Sequence, residues 1–343
     1  MKLAIVLFNL GGPDSLEAVE PFLRNLFADP AIIRLPAFLR YPLAWLIARR
    51  RAPITRGMYE RIGGSSPLLK ETEAQARALE TALANNSMET RCFIAMRHWH
   101  PFTGEAAEAV KAWGPDRAVL LPLYPQYSST TTASALDAWR KATNKTGLRA
   151  SEALVCCYPW DAGFVGAEAA LVTEALQRRK TGLSYRVLFS AHGLPKRIVE
   201  QGDPYQWQVE KTVGAILRRL ARNDLDWSIC YQSRVGPLEW VGPATDEEIR
   251  RAGAQGKGVI VVPVAFVSEH SETLVELDLD YGEHLAREAQ VPDYIRVSTV
   301  RTQPLFIKGL ADLVMEAAKS RASVTCADTR ICPANMLCGH RAA

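Results

Sequence analysis

The feature that most constrains this chain is an internal repeat. The segment LPLYPQYSSTTTASALD, which starts at Leu121, aligns without gaps on VPVAFVSEHSETLVELD, which starts at Val262. Further upstream, PFTGE aligns on PATDE at nearly the same offset of about 140 residues. Two nearly equal offsets favour duplication over chance, so we expect two halves built on one plan.

Apolar runs that suit buried strands alternate with helical patterns along the whole chain. These runs are Leu3–Phe8, Cys92–Met96, Ala118–Tyr124, Ala153–Cys157, Arg186–Phe189, Ser228–Tyr231, Val259–Phe266 and Tyr294–Val297. Such alternation is typical of parallel sheets covered by helices. The sequence therefore predicts an α/β fold with two similar lobes, each a parallel sheet flanked by helices.

The first half contains an insertion. The motif FNLGGP at Phe8 echoes FSAHGLP at Phe189 at a larger offset, so roughly 40 extra residues should lie between the first two strands. The candidate segment, 31–59, has six arginines and no acidic residue. It could be an ordinary packing helix with a solvated arginine end. We favour an apolar, cationic flap that binds an apolar anionic ligand or contacts an acidic membrane face.

Composition excludes several classes of protein. A net charge of +4, with no basic run interleaved with aromatic residues, argues against a nucleic-acid partner. The chain opens on a strand, and it has no uncharged apolar run of about 18 residues, so we expect neither secretion nor a membrane span but a cytoplasmic protein. Its seven cysteines are not expected to form a disulfide framework.

A ladder of acidic residues follows one strand of the second half. After Val259–Phe266 come His270, Glu272, Glu276 and Asp280. In a helix that starts just before Glu272, the three acids share one face, where like charges at this spacing destabilise the helix. Acids are welcome in a first helical turn, but that explanation weakens by Asp280. We therefore predict a site for metal and protons.

A second histidine marks the same region. His192 follows another strand, at the position where the first half has its Gly-Gly turn. Ligands bind at the carboxyl ends of strands in open α/β sheets, so His192 and Glu272 should face one cleft between the halves. His270 either takes part in the chemistry or only orients Glu272.

Taken together, these motifs resemble the ferrochelatase family, whose members insert ferrous iron into a porphyrin to make haem. The similarity is carried by FNLGGPDSLEAVEPFLRNLFADP, YERIGGSSP, YPQYSSTTTASAL, FSAHGLP, CYQSRVGPLEWVGPATDE and PVAFVSEHSETLVELDLDY, in this order. The resemblance implies two Rossmann-like lobes with a porphyrin cleft between them. We expect lobes at 1–155, with a hydrophobic lip at 31–59, and at 156–318, followed by a cysteine-bearing extension at 319–343.

The resemblance also implies roles for particular residues. His192 and Glu272 would bind the substrate iron and move protons, and Glu276 and Asp280 would continue the acid chain. Substrate contacts would fall on Leu10, Arg50, Arg51, Tyr59, Ser66, Tyr127 and Trp240. We expect His192 and Glu272 to face each other across a slot that admits a flat macrocycle. His98 stands where the family commonly has an aromatic residue.

The cysteines of the tail follow a regular spacing. Cys326, Cys332 and Cys338 form a C-x5-C-x5-C pattern. A cysteine-bearing C-terminus is similar to the bacterial members that contain a [2Fe–2S] cluster, which takes four thiolates. The resemblance places the fourth at Cys156 or Cys157. Adjacent strand residues point to opposite faces, so only one of them should ligate, and the resemblance favours Cys157, which aligns with a cysteine–aromatic pair of the family. A tetrahedral zinc site is the alternative.

Other functions remain open at this point. The same cleft suits a two-lobed porphyrin or metal carrier without activity. A chelatase for another tetrapyrrole, such as coproporphyrin III, or for another metal would use the same residue types. The apolar residues of 35–51 favour protoporphyrin IX and Fe²⁺ as substrates, and protohaem as the product, with two protons released. They also suggest peripheral contact with a membrane.

Overall fold

The structure is a computed structural model that describes residues 1–84, 88–234, 236, 238–320, 324–325 and 331–338. Its strands are β1 (Lys2–Asn9), β2 (Glu89–Met96), β3 (Arg117–Pro122), β4 (Ser151–Val155), β5 (Tyr185–His192), β6 (Asp226–Gln232), β7 (Gly258–Pro263), β8 (Tyr294–Arg296) and β9 (Val324–Thr325). Each of the eight predicted apolar runs overlaps one of the strands β1 to β8, so this prediction is confirmed.

The strands form two parallel sheets with the same internal order. One sheet runs β2-β1-β3-β4-β9 and the other runs β6-β5-β7-β8. Every pairing is parallel, and β1, β3 and β7 are buried along nearly their whole length. Because both faces of such strands are covered by helices, near-continuous apolar runs are what they require. The predicted fold class, two similar α/β lobes, is confirmed.

Helices cover both sheets. They are α1 (Val19–Phe27), α2 (Ala37–Glu60), α3 (Leu68–Leu83), α4 (Thr103–Trp113), α5 (Thr132–Thr146), α6 (Ala162–Gln177), α7 (Lys196–Glu200), α8 (Tyr205–Leu220), α9 (Thr245–Ala254), α10 (Ala286–Glu288) and α11 (Pro304–Lys319). A π-helix, Glu272–Leu285, precedes α10. The predicted helix at the acid ladder therefore exists, but it is wound as a π-helix.

A shared core joins the two lobes. One buried apolar cluster contains residues of β1 and β3 as well as residues of β5 and β7, together with α3, α6, α8 and α11. The last of these helices, α11, packs on β3 and β4, and Arg117 donates to the carbonyl of Ser320 at 2.7 Å. The second lobe therefore sends its final helix back to the first sheet. The lobe boundaries proposed from the sequence stay predictions.

The predicted insertion falls on α2. Three alanines spaced four residues apart, Ala44, Ala48 and Ala52, form its buried stripe. The other faces expose large apolar residues: Phe38, Leu39, Tyr41, Trp45, Leu46 and Ile54. Among the helices of the described residues, none combines the length and the apolar character that crossing a bilayer requires.

Candidate active site at the ends of β5 and β7

His192 and Glu272 form the centre of the site. His192 is the last residue of β5, and Glu272 begins the π-helix that follows β7, the strand paired with β5. The imidazole Nδ1 lies 2.8 Å from a carboxylate oxygen of Glu272. The structure brings together the two residues that the sequence placed at one sheet edge. The expected slot between them is wrong, because a hydrogen bond of this length leaves no room for a ring.

The two groups stabilise each other's charge. Burial disfavours charge on both, but their mutual attraction outweighs it, so the pKa of Glu272 falls well below its usual range and the pKa of His192 rises. His270 contributes from the other side, with Nε2 at 3.8 Å from the same carboxylate oxygen. The Nδ1 of His270 lies 3.2 Å from the carbonyl oxygen of Ser268 and can donate to it, which orients the ring. His270 therefore faces Glu272 rather than the solvent.

Glu276 lies one step further along the π-helix in a cradle of donors. It accepts hydrogen bonds from the backbone N–H of Ser233 at 2.8 Å, the Tyr281 hydroxyl at 2.9 Å and the Gln232 amide at 3.2 Å. Burial and the nearby charge of Glu272 nevertheless raise the pKa of Glu276. A carboxyl group with a raised pKa can hold a proton nearer neutral pH, so Glu276 suits proton transfer.

The sequence did not predict Gln232, Ser233 or Tyr281 as site residues. Gln232 ends β6 and Ser233 follows it, within the motif CYQSRVG, at the same sheet edge as His192. Polar side chains at the end of a buried strand next to the central strand were the signal that could have found them.

The π winding sets the line of the acids. A π-helix closes hydrogen bonds from residue i to residue i+5, so it turns less per residue than an α-helix and residues four apart lie nearly in one row. Glu272 and Glu276 are half-buried in this row. Asp280 ends it at the surface, where its carboxylate lies 2.9 Å from Arg61 of the first lobe.

A polar cavity of about 340 Å³ adjoins this row. Residues that line it include Ser233, Arg234, Trp240, Glu276 and Tyr281. The cavity is formed by the second lobe alone. It gives Glu276 access to water.

Two predicted substrate residues reach the site from the first lobe. Tyr59 is buried, its phenol is hydrogen-bonded to Ser271, and burial, together with the charge of Glu272, raises the pKa of Tyr59 to about 12. Ser66 packs against the Gly-Gly turn after β1, where a Cβ added to Gly12 would lie 2.4 Å from the Ser66 hydroxyl oxygen. Only glycine at position 12 allows this approach.

Trp240 lies beside the loop that follows His192. It pairs with Pro195 in a short β-bridge, and a Cβ added to Gly193 would be 3.3 Å from its indole ring. The indole N–H of Trp240 is buried, and it has no hydrogen-bond partner among the residues that the structure describes. A buried donor of this kind suits an acceptor on a ligand.

Leu10, Arg50 and Arg51 are three further substrate contacts predicted from the sequence. Leu10 follows β1, and its carbonyl accepts from the backbone of His98 at 2.9 Å, at the edge where the strands end. Arg50 and Arg51 are exposed on α2, with the Arg51 guanidinium 5.8 Å from the ring centre of Phe27. The structure does not join either arginine to the His192 pair.

Tyr127 lies elsewhere, in a buried cluster with four cysteines. The cluster contains Cys156, Cys157, Cys332 and Cys338. The Sγ atoms of Cys156 and Cys338 are 3.9 Å apart. Since β4 ends at Val155, both members of the adjacent pair lie beyond the strand in one cluster, and the argument from opposite strand faces does not separate them.

Gln208 connects the remaining thiols. Its side-chain oxygen accepts from the backbone of Tyr127 at 2.7 Å, so its amide nitrogen faces Cys157 at 3.3 Å and Cys332 at 3.1 Å. Cys326 lies outside the described residues. Within those residues, no group of three or more histidine, cysteine or acidic side chains has the geometry to hold a metal ion.

Comparison with known proteins places the chain in a family. A family model described as Ferrochelatase matches residues 2–318. The ferrochelatase of Caulobacter vibrioides (strain NA1000 / CB15N) is 54% identical over 318 residues, covering 92% of this chain and 90% of that protein. The ferrochelatase of Phenylobacterium zucineum (strain HLK1) is 52% identical over 336 residues, covering 97% and 96%.

Solved structures agree on the fold. SirB from Bacillus subtilis with Fe³⁺ aligns with a TM-score of 0.53 at 14% identity, covering 93% of this chain and 96% of that one. The sirohydrochlorin chelatase SirB of Bacillus subtilis subspecies spizizenii, in complex with cobalt, aligns with a TM-score of 0.52. At this identity the likeness concerns the fold alone. On the family model and the close relatives, the chain belongs to the ferrochelatase family.

Proposed function

We propose that this ferrochelatase inserts Fe²⁺ into protoporphyrin IX, with His192 as the base for the pyrrole protons and Glu272 as its charged partner. The ring loses two pyrrole protons, the metal binds the ring nitrogens, and the products are protohaem and two protons. The observation that carries the proposal is the hydrogen bond between His192 and Glu272 at the edge where β5 and β7 end.

The charges of His192 and Glu272 explain how His192 could lose the proton that it accepts and act as a base again. Glu272 raises the pKa of His192, so the imidazole holds a proton after taking it from the ring. Imidazole and carboxylate together suit Fe²⁺. A divalent ion at Glu272 would neutralise the charge that stabilises the imidazolium, which would lower the pKa of His192 and release the proton.

The released proton needs a route to water. Glu276, whose pKa is raised, can accept it in the next position of the row, and the cavity beside Glu276 offers solvent. Asp280 lies at the exposed end. Because Glu272 and Glu276 interact, they are expected to titrate as a coupled pair rather than independently.

The ring would lie on one side of the pair, between the lobes. Tyr59 and Ser66 border this position from the first lobe, and Trp240 borders it from the second. The indole N–H of Trp240 suits a propionate oxygen. Leu10, Arg50, Arg51 and Tyr127 are proposed as further contacts, the arginines through the propionates.

A turnover assay tests the substrate. Steady-state Fe²⁺ or Zn²⁺ insertion into protoporphyrin IX should exceed insertion into coproporphyrin III, because α2 presents apolar residues that match vinyl groups better than additional carboxylates. Preference for coproporphyrin III would overturn the assignment of the ring. Binding of porphyrin without turnover would instead indicate a carrier.

The exposed face of α2 also supports contact with a membrane surface. Phe38 and Ile54 expose 74% and 71% of their area, and the helix carries arginines and only one acidic residue, at its end. On this proposal the enzyme works in the cytoplasm and binds anionic bilayers peripherally. Sedimentation with phosphatidylglycerol vesicles should exceed sedimentation with phosphatidylcholine vesicles, and Phe38→Ser should weaken it.

For the buried thiols we propose a [2Fe–2S] cluster held by Cys157, Cys326, Cys332 and Cys338. What supports it is the convergence of tail thiols on the end of β4 and the two hydrogen-bond donors that Gln208 turns toward sulfur. Cys156 is the alternative internal ligand. Bound there, a cluster would cross-link the tail to the first lobe.

Anaerobic purification tests this second proposal. A brown protein with equal amounts of iron and acid-labile sulfide supports the cluster, and loss of colour in Cys157→Ser but not in Cys156→Ser supports the choice of ligand. A colourless protein that contains zinc would replace the cluster by a tetrahedral zinc site.

A further inference from the structure

The strand β8 holds the helix that carries Glu272 and Glu276. Tyr294 and Arg296 are two residues apart on this strand, so their side chains project from the same face of the sheet. Both side chains contact the π-helix. A strand of only three residues adds little to a sheet, so these contacts suggest a different role for it.

Tyr294 contacts both ends of one π-helical turn. Its hydroxyl donates to the carbonyl oxygen of Leu277 at 2.7 Å, and burial raises the pKa of Tyr294 well above its usual value, so the phenol stays protonated. Its ring covers Gly282, where an added Cβ would lie 2.9 Å from a ring carbon. Leu277 and Gly282 are five residues apart, the spacing of a π-helical hydrogen bond.

Arg296 ties the helix to the loop before it. Two nitrogens of its guanidinium each lie 2.7 Å from an oxygen of Asp278, and the third lies 2.7 Å from Glu269. Glu269 immediately precedes His270 and is 7% exposed, and Asp278 lies in the middle of the π-helix. One half-buried cation therefore contacts the chain on both sides of Glu272.

The winding of this helix determines where the acids point. In an α-helix each residue turns further around the axis, so Glu276 would rotate away from Ser233 if Glu272 stayed against His192. We propose that Tyr294 and Arg296 are positioning residues that hold residues 272–285 in the π winding, and so keep both acids in their cradles. This inference rests on the proposed roles of His192, Glu272 and Glu276.

The substitution Tyr294→Phe tests the inference with the smallest possible change. It removes only the hydroxyl that bonds Leu277. We expect kcat to fall roughly 10- to 100-fold with little change in KM for porphyrin, because misplacement of reacting groups by about 1 Å can cost about 100-fold in rate. Tyr185→Phe is the matched control, since it removes a hydroxyl that bonds Asp293 at 2.6 Å, away from the site.

A second readout separates positioning from general stability. In Tyr294→Phe the pKa of His192, followed by NMR of the imidazole, should fall because Glu272 moves away, whereas Tyr185→Phe should leave it unchanged. Arg296→Lys keeps the charge but loses the paired contact with Asp278, and it should shift the pKa of His192 in the same direction.

Two outcomes overturn the inference. Wild-type kcat and wild-type pKa of His192 in Tyr294→Phe and Arg296→Lys would show that β8 does not position the acids. Equal losses in Tyr294→Phe and Tyr185→Phe, in step with their melting temperatures, would reduce the effect to stability. Normal turnover in His192→Ala would instead reject the proposed function, whatever Tyr294 does.

Discussion

The two lobes use one strand order for different purposes. After β3 the first lobe continues into a loop of small hydroxyl residues and the α-helix α5, and after β7 the second lobe continues into His270 and the π-helix. Ser128 and Ser129 of that loop both bond Asp203. The corresponding region of the second lobe carries ionisable groups. The loop after β3 therefore makes structural hydrogen bonds, whereas the segment after β7 carries the ionisable groups of the site.

The strand ends repeat this contrast. Where β1 is followed by a turn in which Gly12 allows Ser66 to approach, β5 ends in His192. The two sheet edges share one strand order but carry different ionisable groups: His192 lies 2.8 Å from Glu272 at the second edge, and His98 lies 3.8 Å from Asp29 at the first. On the proposed mechanism, function therefore depends on a few side chains and on the winding of one helix, since the sheets are alike.

The largest effect is expected when the imidazole of His192 is removed. We expect His192→Ala to reduce metal insertion by at least about 1000-fold, within the range of a lost general base. The protein should still fold and bind porphyrin, because the side chain of His192 is 37% exposed and leaves no buried cavity. Fluorescence quenching measures binding, and absorbance measures insertion. His100→Ala, in an exposed pair with Glu105, is the control; near-normal turnover in His192→Ala would remove His192 from the mechanism.

The next largest effect is expected when the charge of Glu272 is removed. In Glu272→Gln the pKa of His192 should fall, because burial remains while the attracting carboxylate is lost. In the wild type, a raised pKa means that His192 stabilises the fold fully below its unfolded pKa of about 6.5, and that this is lost as pH rises through the folded value. In urea unfolding, the free energy of unfolding of the wild type should therefore exceed that of Glu272→Gln at pH 6, and this difference should shrink toward pH 9. An unchanged His192 titration would contradict the pairing.

A smaller loss of activity is expected when Glu276 is replaced. Glu276→Gln keeps the shape and the contacts with Ser233 but cannot take up a proton, so kcat should fall roughly 100-fold, the lower end of the range for general acid–base catalysis. The pH dependence of kcat should lose the contribution of a carboxyl with raised pKa. Glu283→Gln, further along the same helix, provides the matched substitution. If kcat and its pH profile are unchanged in Glu276→Gln, protons leave by another route.

Much of this architecture could be predicted from the sequence. The repeat and the apolar runs predicted two equivalent sheets, because parallel strands must be apolar along their whole length. His192 and Glu272 were expected together because both follow strands whose carboxyl ends share an edge. Their direct contact was not foreseen, since side-chain separation depends on how β7 and its loop are packed.

The π winding could not be read from residue spacing. Acids four apart fit an α-helix as well, and what distinguishes the two windings here is contact with Tyr294 and Arg296, distant in sequence. Tyr127 illustrates the same limit. Its contact with the ring stays a prediction, and the sequence could not show that it lies beside Cys156 and Cys338, which approach only through the fold of the tail.

The smallest effect should appear at the end of the acid row. Asp280 pairs with Arg61 at 2.9 Å, but both side chains are more than one-third exposed, so Asp280→Asn should change the free energy of unfolding by less than about 1 kcal/mol. Water can replace an exposed carboxylate in proton transfer, so kcat should stay within about twofold of the wild type, a difference well under 1 kcal/mol in the barrier. A loss as large as that of Glu276→Gln would extend the functional row to the surface and make the contact between the lobes part of the proton route. Chemical denaturation and steady-state assays of both variants, measured side by side, decide where the row ends.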